Sequence, residues 1–208
     1  MEFERSTKYF LGGFVSVAVF FLIMGFVQSG SIQNLDYSVR AALVDFHAPF
    51  LNYFFLFVTN CFNNLALIFL FIMAFTLLGR KDLWKDGFFF GATLAGAYVL
   101  GLAIKLLVAR DRPVVSMLHE EGFSFPSGHA LKVTLFVLLF IFLYTESIPS
   151  FIGRKLLVIF GGLTIFLVCY SRLYFGVHWF SDVLGGFLLG LGIFFFAAWF
   201  RIKSNKLF

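Results

Sequence analysis

The chain has 208 residues, of which 61% are hydrophobic and 13% charged, about half the roughly 25% charged share of a soluble domain. That composition excludes a soluble globular protein and marks an integral membrane one. The formal net charge of +5 does not point to nucleic acid, because the cations sit at helix ends and in short motifs rather than on one basic face.

A run of roughly 20 apolar residues can cross a bilayer, and the sequence predicts six such spans in an all-α bundle. The first covers Phe10 to Val27. Arg5 and Lys8 precede it, but it is longer than a signal peptide's apolar stretch and no small-x-small cleavage site follows, so it is expected to stay as an anchor. Asn34 to His47 mixes Leu35, Val39, Ala42 and Leu43 with Asp36, Arg40 and Asp45, the pattern of a short amphipathic helix at the interface. The second span runs from Phe54 to Leu78, interrupted by Asn60, Asn63 and Asn64, which are expected to hydrogen-bond between helices. The third runs from Gly87 to Val108, the fourth from His129 to Thr145, the fifth from Leu156 to Tyr170 and the sixth from His178 to Phe200. Gly186 and Gly190 form a GxxxG in the sixth, which predicts close packing against a neighbouring helix.

No Pro/Gly/Ser-rich linker divides the chain, so residues 1–208 are read as one domain. Cys61 and Cys169 are isolated, without CxxC spacing, and are expected to be buried free thiols. Trp84, Trp179 and Trp199 are expected to anchor at the interfaces, and His47 and His119 to lie in interfacial loops.

Six spans put both termini on one side, together with the loops after spans two and four. That side gathers Arg5, Lys8, Arg80, Lys81, Lys85, Arg154, Lys155, Arg201, Lys203 and Lys206. Positive charge marks the cytoplasm, so the termini are predicted to be cytoplasmic. Lys105 lies about 18 residues from the start of span three, roughly 27 Å at 1.5 Å per residue. It therefore sits near the opposite, extracytoplasmic face. His129 begins span four, Arg172 follows span five and His178 begins span six, so these residues converge on that face as well.

Three strings gather there: Lys105 to Pro113 (KLLVARDRP), Pro126 to His129 (PSGH) and Ser171 to Asp182 (SRLYFGVHWFSD). Ionisable groups this close to hydrocarbon mark function. Lys105, Arg112 and Arg172 supply cations for a phosphate, the arginines as planar forks and the lysine as a point charge. Ser127 and Gly128 offer a hydroxyl and backbone N–H groups at a predicted helix start, a natural anion site.

Two histidines then divide the chemistry. Asp182 follows His178 by four residues and would share a helix face with it, fixing the tautomer and steadying an imidazolium. His178 is read as nucleophile, Asp182 as its orienter, and His129 as general acid and then base for water. No HExxH or HxxxH spacing exists among His47, His119, His129 and His178, so no metal and no cofactor is expected. Arg110 and Lys132 are candidates for contacting a second substrate phosphate. Lys132, one turn from His129 in an apolar run, is otherwise expected to snorkel.

KxxxxxxRP, PSGH and SRxxxxxHxxxD, complete and in order between Lys105 and Asp182, resemble the signature of the type 2 phosphatidic acid phosphatase family. The resemblance implies a six-transmembrane-helix bundle with its active site at the outer face and metal-independent hydrolysis through a phosphohistidine. The family's nucleophile corresponds to His178, its acid/base to His129 and its carboxylate to Asp182. Its phosphate-binding positions correspond to Lys105, Arg112, Ser127, Gly128 and Arg172. Similar motifs occur in soluble acid phosphatases and vanadate haloperoxidases, which the apolar spans disfavour.

The expected partners are a lipid phosphate and the membrane lipids, with no nucleic acid. Undecaprenyl diphosphate is the leading expected substrate, with phosphatidylglycerol phosphate and phosphatidic acid close behind. Lipid A phosphatase or phosphotransferase activity is an enzymatic alternative, and a non-catalytic lipid transporter is the alternative of another class. Oligomeric state has no signature in these motifs.

Overall fold

The structure is a computed structural model, which describes residues 2–44, 46–63, 66–70, 72 and 83–204. The long helices are α1 (Glu2–Gln28), α4 (Leu83–Val108), α5 (Gly128–Tyr144), α6 (Phe151–Tyr174) and α7 (Phe180–Ser204). Two shorter ones, α2 (Gln33–Val44) and α3 (Pro49–Asn60), lie between α1 and α4, and a 3-10 turn at Thr145–Ser147 follows α5. Residues 66–70 are also helical, and no strand occurs among the described residues.

Five of these helices are long and apolar enough to cross a membrane. They match expected spans one, three, four, five and six, with ends displaced by a few residues. The expected second span, Phe54 to Leu78, is not one continuous helix where it is described, because α3 ends at Asn60 and a turn follows at residues 61–63; its residues 64, 65, 71 and 73–78 lie outside the described residues. Arg80, Lys81, Asn64, Asp45 and Lys206 also lie outside them.

α5 is the centre of the bundle. Val133, Leu135 and Leu139 on it are wholly buried, because α4, α6 and α7 all pack around it. The outer helices keep Phe14, Phe88, Leu106, Leu107, Phe160 and Phe166 exposed, as a surface facing acyl chains requires.

Glycines set the closest approach. A Cβ on Gly186 would lie 2.4 Å from the Ser127 carbonyl oxygen, and one on Gly190 would lie 2.8 Å from that of Leu131. The GxxxG of α7 is therefore the face that meets α5, as its spacing predicted. α1 joins the bundle along α7, where Gly12 and Gly13 sit against the rings of Phe195 and Phe196.

Several local expectations are corrected. His178 does not begin a helix, because α7 starts at Phe180. Gly176, with φ of +64°, turns the chain before it, and His178 stands in the connecting loop. The segment expected to lie at the interface does form a helix, α2, but its Asp36 is buried against the start of α7. Asn63 caps locally, its Oδ1 accepting from the Ala66 amide at 2.8 Å. The two cysteines are free, and half-buried rather than buried. The expected place of Trp179 at an interface is not contradicted, and the guanidinium groups of Arg40 and Arg110 each lie 5.7 Å from its ring centroid.

Candidate active site

The three motifs meet at one end of the bundle, where the C-terminus of α4, the N-terminus of α5 and the loop before α7 converge. Lys105, Arg112, Glu120, Gly128, His129, Lys132 and His178 line a cavity of about 220 Å³ there. A wider, mostly apolar groove of about 470 Å³ between α4 and α7 lies at the other end and holds none of the motif residues.

Local sequence explains the convergence. α4 stops at Val108, and Ala109 takes the left-handed conformation at φ of 48°, which turns the chain so that Arg110 and Arg112 follow on the loop. The Ser124 amide donates to the Arg110 carbonyl at 2.8 Å, closing the loop back on itself. Pro126 then precedes α5, whose start is set by Ser127 in an extended conformation. The Ser127 amide donates to the Asp182 carbonyl at 2.9 Å, which ties the second motif directly to the third.

Ser127 occupies the capping position without capping. Its hydroxyl makes no capping hydrogen bond, is wholly buried and has no partner. The first N–H groups of a helix lack intrahelical partners, so a free hydroxyl and open amides stand together beside the cavity. Such a combination suits an anion.

His178 shows two different nitrogens. Nδ1 lies 3.5 Å from Asp182 Oδ2, a distance longer than a well-formed hydrogen bond, and has no other partner. Nε2 lies 3.4 Å from Arg112 Nη1, on the cavity side. With the proton on Nδ1, Nε2 carries the lone pair that could attack an electrophile. Burial is the largest influence on this imidazole and, against the pull of Asp182, pushes its pKa down to about 4. Burial thus favours the neutral form of the ring.

The cations are held by carbonyls and one carboxylate. Lys105 Nζ donates to the Phe123 carbonyl at 2.5 Å. Arg112 donates to the carbonyls of Gly122 at 3.0 Å, Val177 at 2.9 Å and Glu121 at 3.1 Å. Arg172 is buried at 1% exposure. It donates to Thr59 Oγ1 at 2.7 Å and pairs with Glu120, while its Nε has no partner. Glu120 also lies 3.9 Å from Arg112. Burial raises the Glu120 pKa, but the Arg172 and Arg112 guanidinium groups outweigh it and hold the carboxyl below its ordinary value. A carboxylate therefore bridges two of the cations assigned to phosphate.

Of the ten candidate residues, Lys105, Arg112, Gly128, His129, Lys132 and His178 line the cavity. Arg172 and Ser127 are buried close behind it, through Glu120 and the start of α5. Asp182 stands behind His178. Arg110 is not among the lining residues and bridges Asp182 Oδ1 at 2.6 Å and Asp36 Oδ2 at 2.6 Å.

Sequence reasoning missed Glu120, Asp36, Thr59 and Ser181. Glu120 had one available signal, an acidic pair beside Glu121 within a loop between two cationic motifs. Thr59 and Asp36 are distant in sequence from the motifs, and no spacing joins them to Arg172 or Arg110. Among the described residues no group of three or more metal-ligating side chains occurs.

The model of the PAP2 superfamily matches residues 86–206. Phosphatidylglycerophosphatase B of Bacillus subtilis (strain 168) is 30% identical over 92% of this chain and 96% of its own length. An undecaprenyl-diphosphatase of Sulfolobus acidocaldarius is 35% identical over 52% of this chain and 51% of its own. The crystal structure of the transmembrane PAP2-type phosphatidylglycerolphosphate phosphatase from Bacillus subtilis superposes with a TM-score of 0.83 at 26% identity, covering 94% of this chain and 96% of that one.

Proposed function

The chain belongs to the PAP2 superfamily of lipid phosphatases and is a hydrolase, and from that membership we propose that it removes a phosphate from a membrane lipid through a phosphohistidine on His178. The observation that carries this reading is the His178 imidazole itself. Its Nδ1 lies 3.5 Å from Asp182 Oδ2, and its Nε2 lies 3.4 Å from Arg112 beside a cavity lined by Lys105, Arg112 and His129.

In the proposed reaction the substrate phosphate takes the place of the Glu120 carboxylate between Arg112 and Arg172. Lys105, the α5 amides and the Ser127 hydroxyl receive its remaining oxygens. Nε2 attacks phosphorus, the bond to the lipid oxygen breaks, and His129 protonates that oxygen. The imidazolium that forms is steadied by Asp182. His129 then takes a proton from water, which attacks the phosphohistidine and releases inorganic phosphate. The cations supply the charge stabilisation that the pentavalent transition state needs.

Phosphatidylglycerol phosphate is the leading proposed substrate, because the relative that matches 92% of this chain is named a phosphatidylglycerophosphatase. Undecaprenyl diphosphate, the leading expectation from sequence, is supported by a relative matching about half of it. The cavity is proposed to open at the extracytoplasmic face. Lys85, Arg154, Lys155, Arg201 and Lys203 all lie at the helix ends away from it, which agrees with positive charge inside.

Phosphate release by purified protein in detergent with EDTA tests the reading. The comparison uses phosphatidylglycerol phosphate, undecaprenyl diphosphate and phosphatidic acid, with His178→Ala as control. Release that persists in EDTA and disappears in the variant is expected. Release that requires a divalent cation, or that survives in His178→Ala, contradicts it.

A further inference from the structure

α2 is not bound to the bundle by apolar contact alone. Its residues Asp36, Tyr37 and Arg40 hold the loop that carries His178. Tyr37 meets Trp179 edge-on at 5.2 Å. Arg40 donates to the Gly176 carbonyl at 3.3 Å and also to the Val115 carbonyl. Asp36, with 1% exposure, reaches furthest. Its Oδ1 accepts from the Ser181 amide at 2.9 Å, and its Oδ2 accepts from the Ser181 hydroxyl at 2.7 Å and from Arg110 at 2.6 Å.

Arg110 is thus shared between two buried carboxylates, since its other nitrogen donates to Asp182 Oδ1 at 2.6 Å and to the Ser181 hydroxyl at 2.7 Å. Asp182 has only its second oxygen left. Oδ2 accepts from the Trp179 amide at 2.8 Å and faces His178 Nδ1 at 3.5 Å. The charge count decides what this does. Asp36, Arg110 and Asp182 together carry one net negative charge. Remove Asp36 and the guanidinium falls wholly on Asp182, so that the pair is neutral. A neutral pair gives little stabilisation to an imidazolium at Nδ1, and in a buried site that difference is only weakly screened.

We propose that Asp36 is a positioning residue for the hydrolysis: by offsetting Arg110 it leaves one net negative charge beside His178, and by holding Ser181 it fixes the start of α7 behind the Asp182 carboxylate. The inference rests on the reading of His178 as nucleophile. It assigns to α2, which lies outside the three motifs, part of the catalytic geometry.

The test measures kcat and KM for release of inorganic phosphate from phosphatidylglycerol phosphate, together with melting temperature. The proteins are wild type, His178→Ala, Asp36→Asn and the doubly neutralised Asp36→Asn/Arg110→Gln. Wild-type release that is lost in His178→Ala establishes the parent reading before Asp36 is judged. Asp36→Asn is then expected to lower kcat by tenfold or more, with KM changed by less than threefold. The double variant restores one net negative charge at Asp182 and is expected to recover kcat at least fivefold over Asp36→Asn. A purely structural Asp36 would show no such recovery, because the double variant removes still more hydrogen bonds. An Asp36→Asn protein with kcat within twofold of wild type, a loss confined to KM, or a double variant no faster than the single one overturns the proposal. If Asp36→Asn does not fold, the double variant decides alone. A kcat within tenfold of wild type supports the proposal, and any deeper loss overturns it.

Discussion

Gly186→Ala places one methyl group where the two halves of the candidate site are joined. The new Cβ would stand 2.4 Å from the Ser127 carbonyl oxygen and 3.0 Å from the Ala130 Cβ. An ordinary contact begins near 3.4 Å, so α7 must move away from α5 by about 1 Å. The obstacle is backbone, which cannot rotate aside as a side chain would. Overpacking of this kind costs about 1–3 kcal/mol, while the better helix propensity of alanine returns about 1 kcal/mol. The net loss, up to about 2 kcal/mol, corresponds to a melting temperature lower by up to roughly 8 °C for a chain of this size. Activity should suffer more than stability. The Ser127 amide is bonded to the Asp182 carbonyl at this junction, and a 1 Å misplacement of catalytic groups can cost about 100-fold in rate. The control is Gly162→Ala on α6, where a Cβ meets nothing within 4 Å. It should keep full activity and melt at the wild-type temperature or slightly above. The assay is phosphate release beside thermal melting in the same detergent. A Gly186→Ala protein indistinguishable from Gly162→Ala in both would refute the reasoning that the GxxxG sets the site.

Glu120→Gln removes the carboxylate that now bridges Arg172 and Arg112, so inorganic phosphate should inhibit at roughly tenfold lower concentration, about 1.4 kcal/mol of binding; unchanged inhibition would show that the carboxylate and phosphate do not share a site. His178 also sets a pH dependence. Its ordinary pKa of 6.5 is lowered to about 4 by burial, so protonation of the proposed nucleophile is expected only well below neutrality. The acid limb of kcat/KM assigned to it should fall near pH 4 rather than 6.5, and a profile that breaks at 6.5 would contradict this. The same shift acts on stability. The unfolded imidazole takes up its proton at about 6.5 and the folded one only near 4. The contribution to stability is therefore whole above 6.5 and is lost progressively as pH falls towards 4. His178→Ala should flatten that part of the curve of melting temperature against pH.

The long helices were legible because their signal is repetitive. Apolar runs such as Leu156 to Tyr170 need only length to be recognised, and Gly186 and Gly190 announce a close contact by spacing alone. The cavity was legible for a different reason: the motif residues alternate with the spans in a way that returns them to one end. What could not be read was what lies behind that cavity. Asp36 sits in a helix whose mixed composition is equally suited to an interface, and only folding shows its carboxylate buried on Ser181 and Arg110. Glu120 lies in a loop between motifs, where neither period nor spacing fixes a partner. The geometry of His178 was misjudged for a local reason. Four-residue spacing to Asp182 implies a shared helix face, whereas Gly176 and the start of α7 at Phe180 put the histidine in a loop. The two groups meet all the same, through the Trp179 amide bonded to Asp182 rather than through a turn of helix.

The most direct test of the account is to find the phosphoryl group on the enzyme. Lipid substrate labelled in its terminal phosphate would be mixed with wild-type protein, quenched in base during turnover and digested, and the labelled peptide sequenced. The account predicts an alkali-stable, acid-labile label on the peptide containing His178, absent from His178→Ala. Label on His129, or no labelled peptide while phosphate release proceeds with a trapped intermediate sought at every quench time, would contradict it.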